Sequence, residues 1–166
     1  MPPRSLGLER PRTFSKIQHV DHYAFLFVST LADDMPPDCV ADIARQARAN
    51  NARTDITGLL VFDGEHFAQL MEGPKDTVLP VAERMSRDPR HCGWEVLYEA
   101  EIATPRQFPT WRLGYLVLDL QEFGPKNLRG KRGPAALEAF DFMLPALDHA
   151  VGEAVPAKLS RRRHPA

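Results

Sequence analysis

The sequence predicts an α+β fold: a ferredoxin-like βαββαββ arrangement with a five-stranded sheet, two helices on one face and an extra C-terminal helix. Three observations lead there. Five short segments are rich in aromatic and branched residues. Two others carry apolar residues at helical spacing. Their order puts a strand pair between the two helices.

The elements follow in order. YAFLFVS (Tyr23–Ser29) reads as the first strand. Cys39, Val40, Ile43, Ala44 and Ala47 recur at helical spacing, and Pro37 fits the first turn. Asn50–Asn51 stands at the end of that helix. TGLLVF (Thr57–Phe62) and HFAQLME (His66–Glu72) form two strands joined through Asp63–Gly64, a tight-hairpin signal. Gly73–Pro74 breaks the chain, and Val78, Leu79, Val81, Ala82 and Met85 make the stripe of a second helix that stops before Pro89. Gly93–Ala103 is the fourth strand, Pro105 and Pro109 bracket a loop, and Arg112–Leu120 is the fifth. Residues 121–133 are loop-like. Ala135–Ala150 is an apolar-rich helix with a breaking point at Pro145. This last helix is expected to cover the sheet face that the first two leave open, or to supply an interface; Phe140, Phe142, Met143 and Leu144 are candidates for that surface, with core packing the leading reading for most of them.

The organisation that follows is an N-terminal arm over 1–21, a globular body over 22–120, a C-terminal loop and helix over 121–151 and a flexible tail over 152–166. Many of the fifteen prolines fall outside the periodic segments, as in Pro2, Pro3, Pro11, Pro156 and Pro165. A remainder this short after Leu120 leaves no expected room for an output enzyme.

Composition narrows the class. Hydrophobic residues are 43% and charged residues 26%, the balance of an ordinary globular domain. Twenty-one Lys+Arg against twenty-two Asp+Glu give a net charge of -1, which argues against indiscriminate nucleic-acid binding. No run suits a membrane span and the start lacks a secretory signal, so the cytoplasm is the expected compartment. Cys39 and Cys92 make neither a disulfide framework nor a metal spacing.

A few polar residues stand out. Alternation puts Phe67, Gln69 and Met71 on one face of a strand, so Gln69 lies between large apolar neighbours. A buried amide without partners costs roughly 1–3 kcal/mol. Protein, water or a polar ligand must meet it. Asn50 and Asn51 read as a helix C-cap or as adjacent amides suited to the edge of a planar heterocycle. Arg84 and Asp88, four apart, read as a surface ion pair on the second helix. Trp111, in RQFPTWRLGY, reads as core or rim packing.

Together these signals are far more specific. NNARTDITGLLVFDGEHFAQLMEGP, followed by ERMSRDPRH and RQFPTWRLGY, resembles the BLUF family of flavin-binding blue-light sensors from about Tyr23 to Leu120. The resemblance implies a flavin lying between the two helices on the sheet. It implies that Asn51, with its neighbour Asn50, hydrogen-bonds the isoalloxazine ring. Gln69 is implied as the switch residue of an F-x-Q-x-L-E-G motif. Arg84 and Asp88 would lie near the flavin's polar edge, and Trp111 would be the semi-conserved tryptophan before the last strand. FAD is the implied cofactor, with FMN or riboflavin as alternatives.

The pattern is broken at one place that matters. The family's first strand carries a tyrosine beside the glutamine, and here that position is Phe27. The resemblance implies that light moves an electron and a proton from that tyrosine to the flavin, after which the glutamine changes its hydrogen bonding. Phenylalanine keeps the shape and lacks the hydroxyl. Tyr23 is four residues away, about 13 Å along a strand, and cannot replace it. Trp111 is an oxidisable alternative. Smaller departures are Ala24 for the motif arginine, Asp55 for a glycine of the G-I-T-G motif and Leu113 for a methionine.

The resulting expectation is a flavin-binding blue-light photoreceptor module that signals through a protein partner or oligomer contacts, with a photocycle impaired by Phe27. The alternative is a non-photoactive interaction module that keeps the fold. An enzyme is not expected: there is no dinucleotide fingerprint, His91 in DPRH is isolated and reads as structural, and nothing marks Cys39 as a nucleophile.

Overall fold

The structure is a computed structural model that describes residues 22–117 and 123–144. The arm over 1–21, the stretch 118–122 and everything from 145 onward lie outside the described residues. Five strands and three helices occur in the order β1 (His22–Leu31), α1 (Cys39–Thr54), β2 (Thr57–Phe62), β3 (His66–Gly73), α2 (Lys75–Ser86), β4 (His91–Ile102), β5 (Gly114–Val117) and α3 (Pro134–Met143), with a 3-10 turn at Pro125–Leu128 before α3. The sheet order is β4-β1-β3-β2-β5. The first four strands pair antiparallel and β5 runs parallel to β2. The expected α+β fold is thus observed.

Register explains how the sheet serves two cores. Phe27 lies directly opposite Gln69, Gln69 opposite Leu60, and Leu60 opposite Tyr115. Because side chains alternate, this row and its same-parity neighbours face one side. There α2 packs on Phe25, Phe27 and Met71 through Val78, Val81 and Ala82. Beside it α1 packs on Leu31, Leu60 and Phe67 through Val40 and Ala44. The opposite parity, including Leu26, Val28, Leu59, Val61, Ala68 and Leu70, forms the other core. Both faces of the central strands are covered, so β1, β2 and β3 read as continuous apolar runs.

The C-terminal helix closes that second core. Ala136, Phe140 and Met143 recur at i, i+4 and i+7 and are fully buried against the sheet. Burying a side chain the size of Phe140 or Met143 contributes roughly 1.5–3 kcal/mol. Phe142 points away and is 71% exposed. α3 ends at Met143, at the breaking point expected near Pro145, and the rest of the expected helix lies outside the described residues. Leu144, just before Pro145, is extended at φ -75 and ψ 136, the conformation a following proline imposes. Among the described residues no helix is long and apolar enough to cross a membrane.

The end of α1 and the start of β5 differ from the sequence reading, whereas the facing ends of β2 and β3 fall where expected, at Phe62 and His66. α1 runs on past Asn50–Asn51 to Thr54, and its left-handed cap is Asp55 at φ 53. The asparagines are therefore inside the helix and neither caps it. The β2–β3 connection takes three residues, Asp63, Gly64 and Glu65. The Asp63 carboxylate accepts the N–H groups of Glu65 at 3.0 Å and His66 at 2.7 Å. β5 begins at Gly114, not Arg112, because the carbonyls before it are taken by α1: Asn51 Nδ2 donates to Arg112 O at 2.7 Å and Arg48 Nε to Leu113 O at 3.0 Å.

Candidate functional site

A cavity of about 230 Å³ opens between α1, α2 and the sheet face that carries Phe27 and Gln69. The topology dictates it. α1 and α2 fill the two ends of this face with separate apolar clusters, and the row through Phe27, Gln69 and Leu60 lies between them. Gln69 is 2% exposed, with Phe27 across one ladder and Leu60 across the other. Gly58 in the adjoining strand holds φ at +155, and a Cβ there would lie 2.0 Å from the Leu70 carbonyl oxygen. Only glycine lets β2 approach β3 this closely.

Six of the seven residues expected at a site meet here: Phe27, Asn50, Asn51, Gln69, Arg84 and Asp88 all line the cavity. Asn51 is buried on the inner side of α1 and Asn50 is exposed at the mouth. Asn51 donates one N–H to the Arg112 carbonyl, which leaves its carbonyl oxygen and second N–H able to meet another partner. Arg84 is exposed at the mouth.

Asp88 does not pair with Arg84. α2 ends at Ser86, so the helical i, i+4 spacing no longer holds at Asp88. Its partner is Arg90: Nη2 donates to Oδ2 at 2.6 Å and Nε to Oδ1 at 3.0 Å. That hydrogen bond, against the opposing effect of burial, holds the Asp88 carboxyl below the usual carboxylate range. Arg90 also donates to Gln46 Oε1 at 3.3 Å, linking the segment after α2 to α1 across the mouth.

Trp111 is not brought to the cavity. It is 2% exposed in the core on the opposite sheet face, stacked on Phe108 at 5.3 Å between ring centroids. The ladder starts only at Gly114, so strand alternation does not govern Trp111. Its indole lies over Gly114, where a Cβ would come within 2.4 Å of it. Leu113 points the other way, into the cluster under α1.

The structure adds residues that the sequence reading left aside. His91 lines the cavity, and its Nε2 lies 2.7 Å from the Met85 carbonyl oxygen. A carbonyl only accepts, so the proton sits on Nε2 and Nδ1 is an acceptor. Burial, the largest influence, pushes the imidazole pKa down and favours this neutral form. Nδ1 is buried without a hydrogen-bond partner, as is Ser29 Oγ, another cavity-lining atom. Orphaned buried polar atoms are uncommon, and two on one wall mark a place where a polar ligand completes the hydrogen bonding. Trp94 stacks on Phe27 at 3.8 Å between centroids and 21° between planes, directly behind the cavity wall.

The arrangement fits a flat heterocycle with both ring N–H groups and carbonyls. The amides of Asn51 and Gln69 and the Ser29 hydroxyl can donate or accept, and His91 Nδ1 accepts. Apolar walls from Phe27, Leu60, Phe67 and Val81 would exclude water from the ring.

Comparison with known proteins agrees. The family model for BLUF domains, sensors of blue light using FAD, matches residues 23–114. The blue light- and temperature-regulated antirepressor BluF of Escherichia coli is 36% identical over 66 residues, 40% of this chain and 16% of that protein. The photoactivated adenylate cyclase subunit beta of Euglena gracilis is 38% identical over 72 residues, 43% of this chain and 8% of that protein. The chain therefore spans only a small part of these relatives. Among solved structures, the dark state of the BLUF protein BlrB has a TM-score of 0.62 at 26% identity, covering 74% of this chain and 94% of that one. BlrP1 of Klebsiella pneumoniae with FMN and cyclic diGMP has a TM-score of 0.54 at 26% identity, over 76% of this chain and 32% of that one. The match over more than half the chain, with a cavity built from the same fold, shows that this chain belongs to the BLUF family of flavin-binding blue-light sensors.

Proposed function

We propose that this chain holds a flavin, FAD by preference, between α1 and α2, and that it does not form the ordinary red-shifted state under blue light. The observation that carries the reading is the Gln69 amide, buried on the cavity wall directly opposite Phe27. Asn50, Asn51 and Gln69 hold the polar edge of the ring, supported by Ser29 Oγ and His91 Nδ1. Arg84, beside the Asp88–Arg90 pair, stands at the mouth for the flavin's outer, charged portion. A bound flavin supplies one-electron and light-absorbing chemistry. The protein positions it, excludes water and offers Gln69 as the group that could rearrange.

At Phe27 the family's hydroxyl is missing, so Gln69 lacks the neighbour that would exchange a proton with it. The aromatic ring still fills the wall, and the pocket keeps its shape. Signalling, where it occurs, passes to a protein partner or through oligomer contacts; no enzymatic role is proposed for the residues present. The compartment proposed is the cytoplasm.

Absorption spectra before and after blue illumination test this. The wild type is expected to bind flavin and show no lasting red shift, and Phe27→Tyr is expected to gain one. A normal red shift in the wild type would overturn the impairment. A second reading, a non-photoactive interaction module, is favoured by the same Phe27. A colourless protein that takes up no added flavin would replace the first reading with the second.

A further inference from the structure

The chain has three tyrosines and two tryptophans, the side chains most readily oxidised by one electron among its aromatics. Four of them are poorly placed toward the cavity. Tyr98 and Trp111 belong to the core on the opposite sheet face. Tyr115 packs beside Cys39 in the cluster under α1, behind Leu60. Tyr23 does not line the cavity and lies four residues before Phe27, about 13 Å along the strand.

Trp94 is different. It stacks on Phe27 at 3.8 Å and lies 5.6 Å from the His91 ring, and both of those residues line the cavity. Phe25 flanks it at 6.3 Å. A ring bound against Phe27 is therefore separated from the Trp94 indole by a single aromatic layer. Phenylalanine itself is much harder to oxidise than an indole, so Phe27 can act as the contact between them but not as the source of an electron.

We propose that Trp94 is the one-electron donor to a photo-excited flavin held in this cavity, across the Phe27 ring. The inference rests on the flavin reading above. In the step, the Trp94 indole is oxidised by one electron and the flavin is reduced by one. No heavy-atom bond forms or breaks, and the indole keeps its N–H proton. The electron then returns from flavin to indole, so no external oxidant or reductant is consumed. Because no proton reaches Gln69, this cycle quenches the excited flavin without rearranging the amide.

The test uses the full chain loaded with FAD. Bound-flavin fluorescence lifetime and transient absorption are measured for wild type, Trp94→Phe, Trp94→Tyr and Tyr115→Phe. Trp94→Phe is expected to lengthen the lifetime severalfold and to abolish the transient tryptophan radical. Trp94→Tyr, which restores an oxidisable ring, is expected to fall between, and Tyr115→Phe to match the wild type. A lifetime unchanged in Trp94→Phe, or no tryptophan radical in the wild type, overturns the proposal. FAD stoichiometry separates the failures: no bound FAD in the wild type sinks the flavin reading and this proposal together, whereas bound FAD with an unchanged lifetime sinks Trp94 alone. Should Trp94→Phe fail to bind FAD, the wild-type radical and the Trp94→Tyr lifetime still decide.

Discussion

Glu72 lies near the end of the strand that carries Gln69, yet it serves the other side of the sheet, and removing it makes a sharp prediction. Its side chain is almost fully buried. Oε1 accepts the Gln107 N–H at 2.8 Å and Oε2 accepts the Phe108 N–H at 3.0 Å, while His22 Nε2 lies 3.5 Å from Oε1. Glu72→Ala strands both backbone donors. Hydrogen bonds to a charged group are worth about 1.5–3 kcal/mol each, which sets an upper bound of roughly 3–6 kcal/mol. Two effects reduce it. The buried carboxylate's own desolvation cost disappears. The loop can also relax, although Arg106 to Asp55 at 3.0 Å and Gln107 to Asp141 at 2.6 Å limit how far. A net loss of about 2–4 kcal/mol remains, with the larger share from the fully buried Phe108 N–H. Glu72→Gln keeps one acceptor and should lose about half as much. Urea unfolding gives the totals, and hydrogen exchange should show Gln107 and Phe108 losing protection in Glu72→Ala. A loss below about 0.5 kcal/mol with both amides still protected would refute the reasoning.

Three further outcomes are expected. Gly58→Ala forces a Cβ to within 2.0 Å of the Leu70 oxygen at a φ of +155, and should cost about 3 kcal/mol or more, read as insoluble or unfolded protein. At Asp55, reversion to the family's glycine relieves a left-handed penalty of about 1 kcal/mol but removes the partner of Arg106, a partly exposed pair of similar worth. Asp55→Gly should therefore be near neutral, whereas Asp55→Ala keeps the backbone penalty, loses the pair and should cost about 1–2 kcal/mol by thermal or urea unfolding. His91 has a folded pKa pushed below its ordinary 6.5 by burial. The unfolded chain then takes up the proton first as pH falls, so stability holds above about pH 6.5 and declines below it, at no more than about 1.4 kcal/mol per pH unit. His91→Gln should flatten that slope, and an equal slope in both proteins would assign it elsewhere.

How much of this was legible in the sequence depends on what holds each piece. Strands and helices set by alternation and helical spacing were readable, because the pattern itself is the cause: Phe67, Gln69 and Met71 share a face for no reason beyond the pleat. Features set by a contact between distant segments were not. Nothing in RQFPTWRLGY says that Asn51 and Arg48 take the carbonyls of Arg112 and Leu113 and so delay β5 to Gly114. That delay frees Trp111 from the alternation that would otherwise put it on the same face as Leu113. Likewise RMSRDPR carries a helical spacing from Arg84 to Asp88, but the helix is gone before Asp88, and the two-residue reach of Arg90 wins.

The site shows the same division. Gln69 announced itself as a polar residue among apolar ones, and its neighbour Phe27 followed from register. His91 and Trp94 did not, since each looks ordinary in its own segment. Their importance comes from sheet order. β4 lies beside β1, outside the strand pair that a reading of adjacent segments would join, so the ring in GWEV lands against the ring in FLFV. One cue was available. A ferredoxin-like order places the fourth strand next to the first, and in that order Trp94 and Val96 share a parity that faces Phe27. The missing hydroxyl at Phe27 and the indole behind it are thus read together only once strand order is fixed. The first removes a proton donor from the Gln69 wall; the second leaves an oxidisable ring one layer away, so excitation and amide rearrangement become separable at this site.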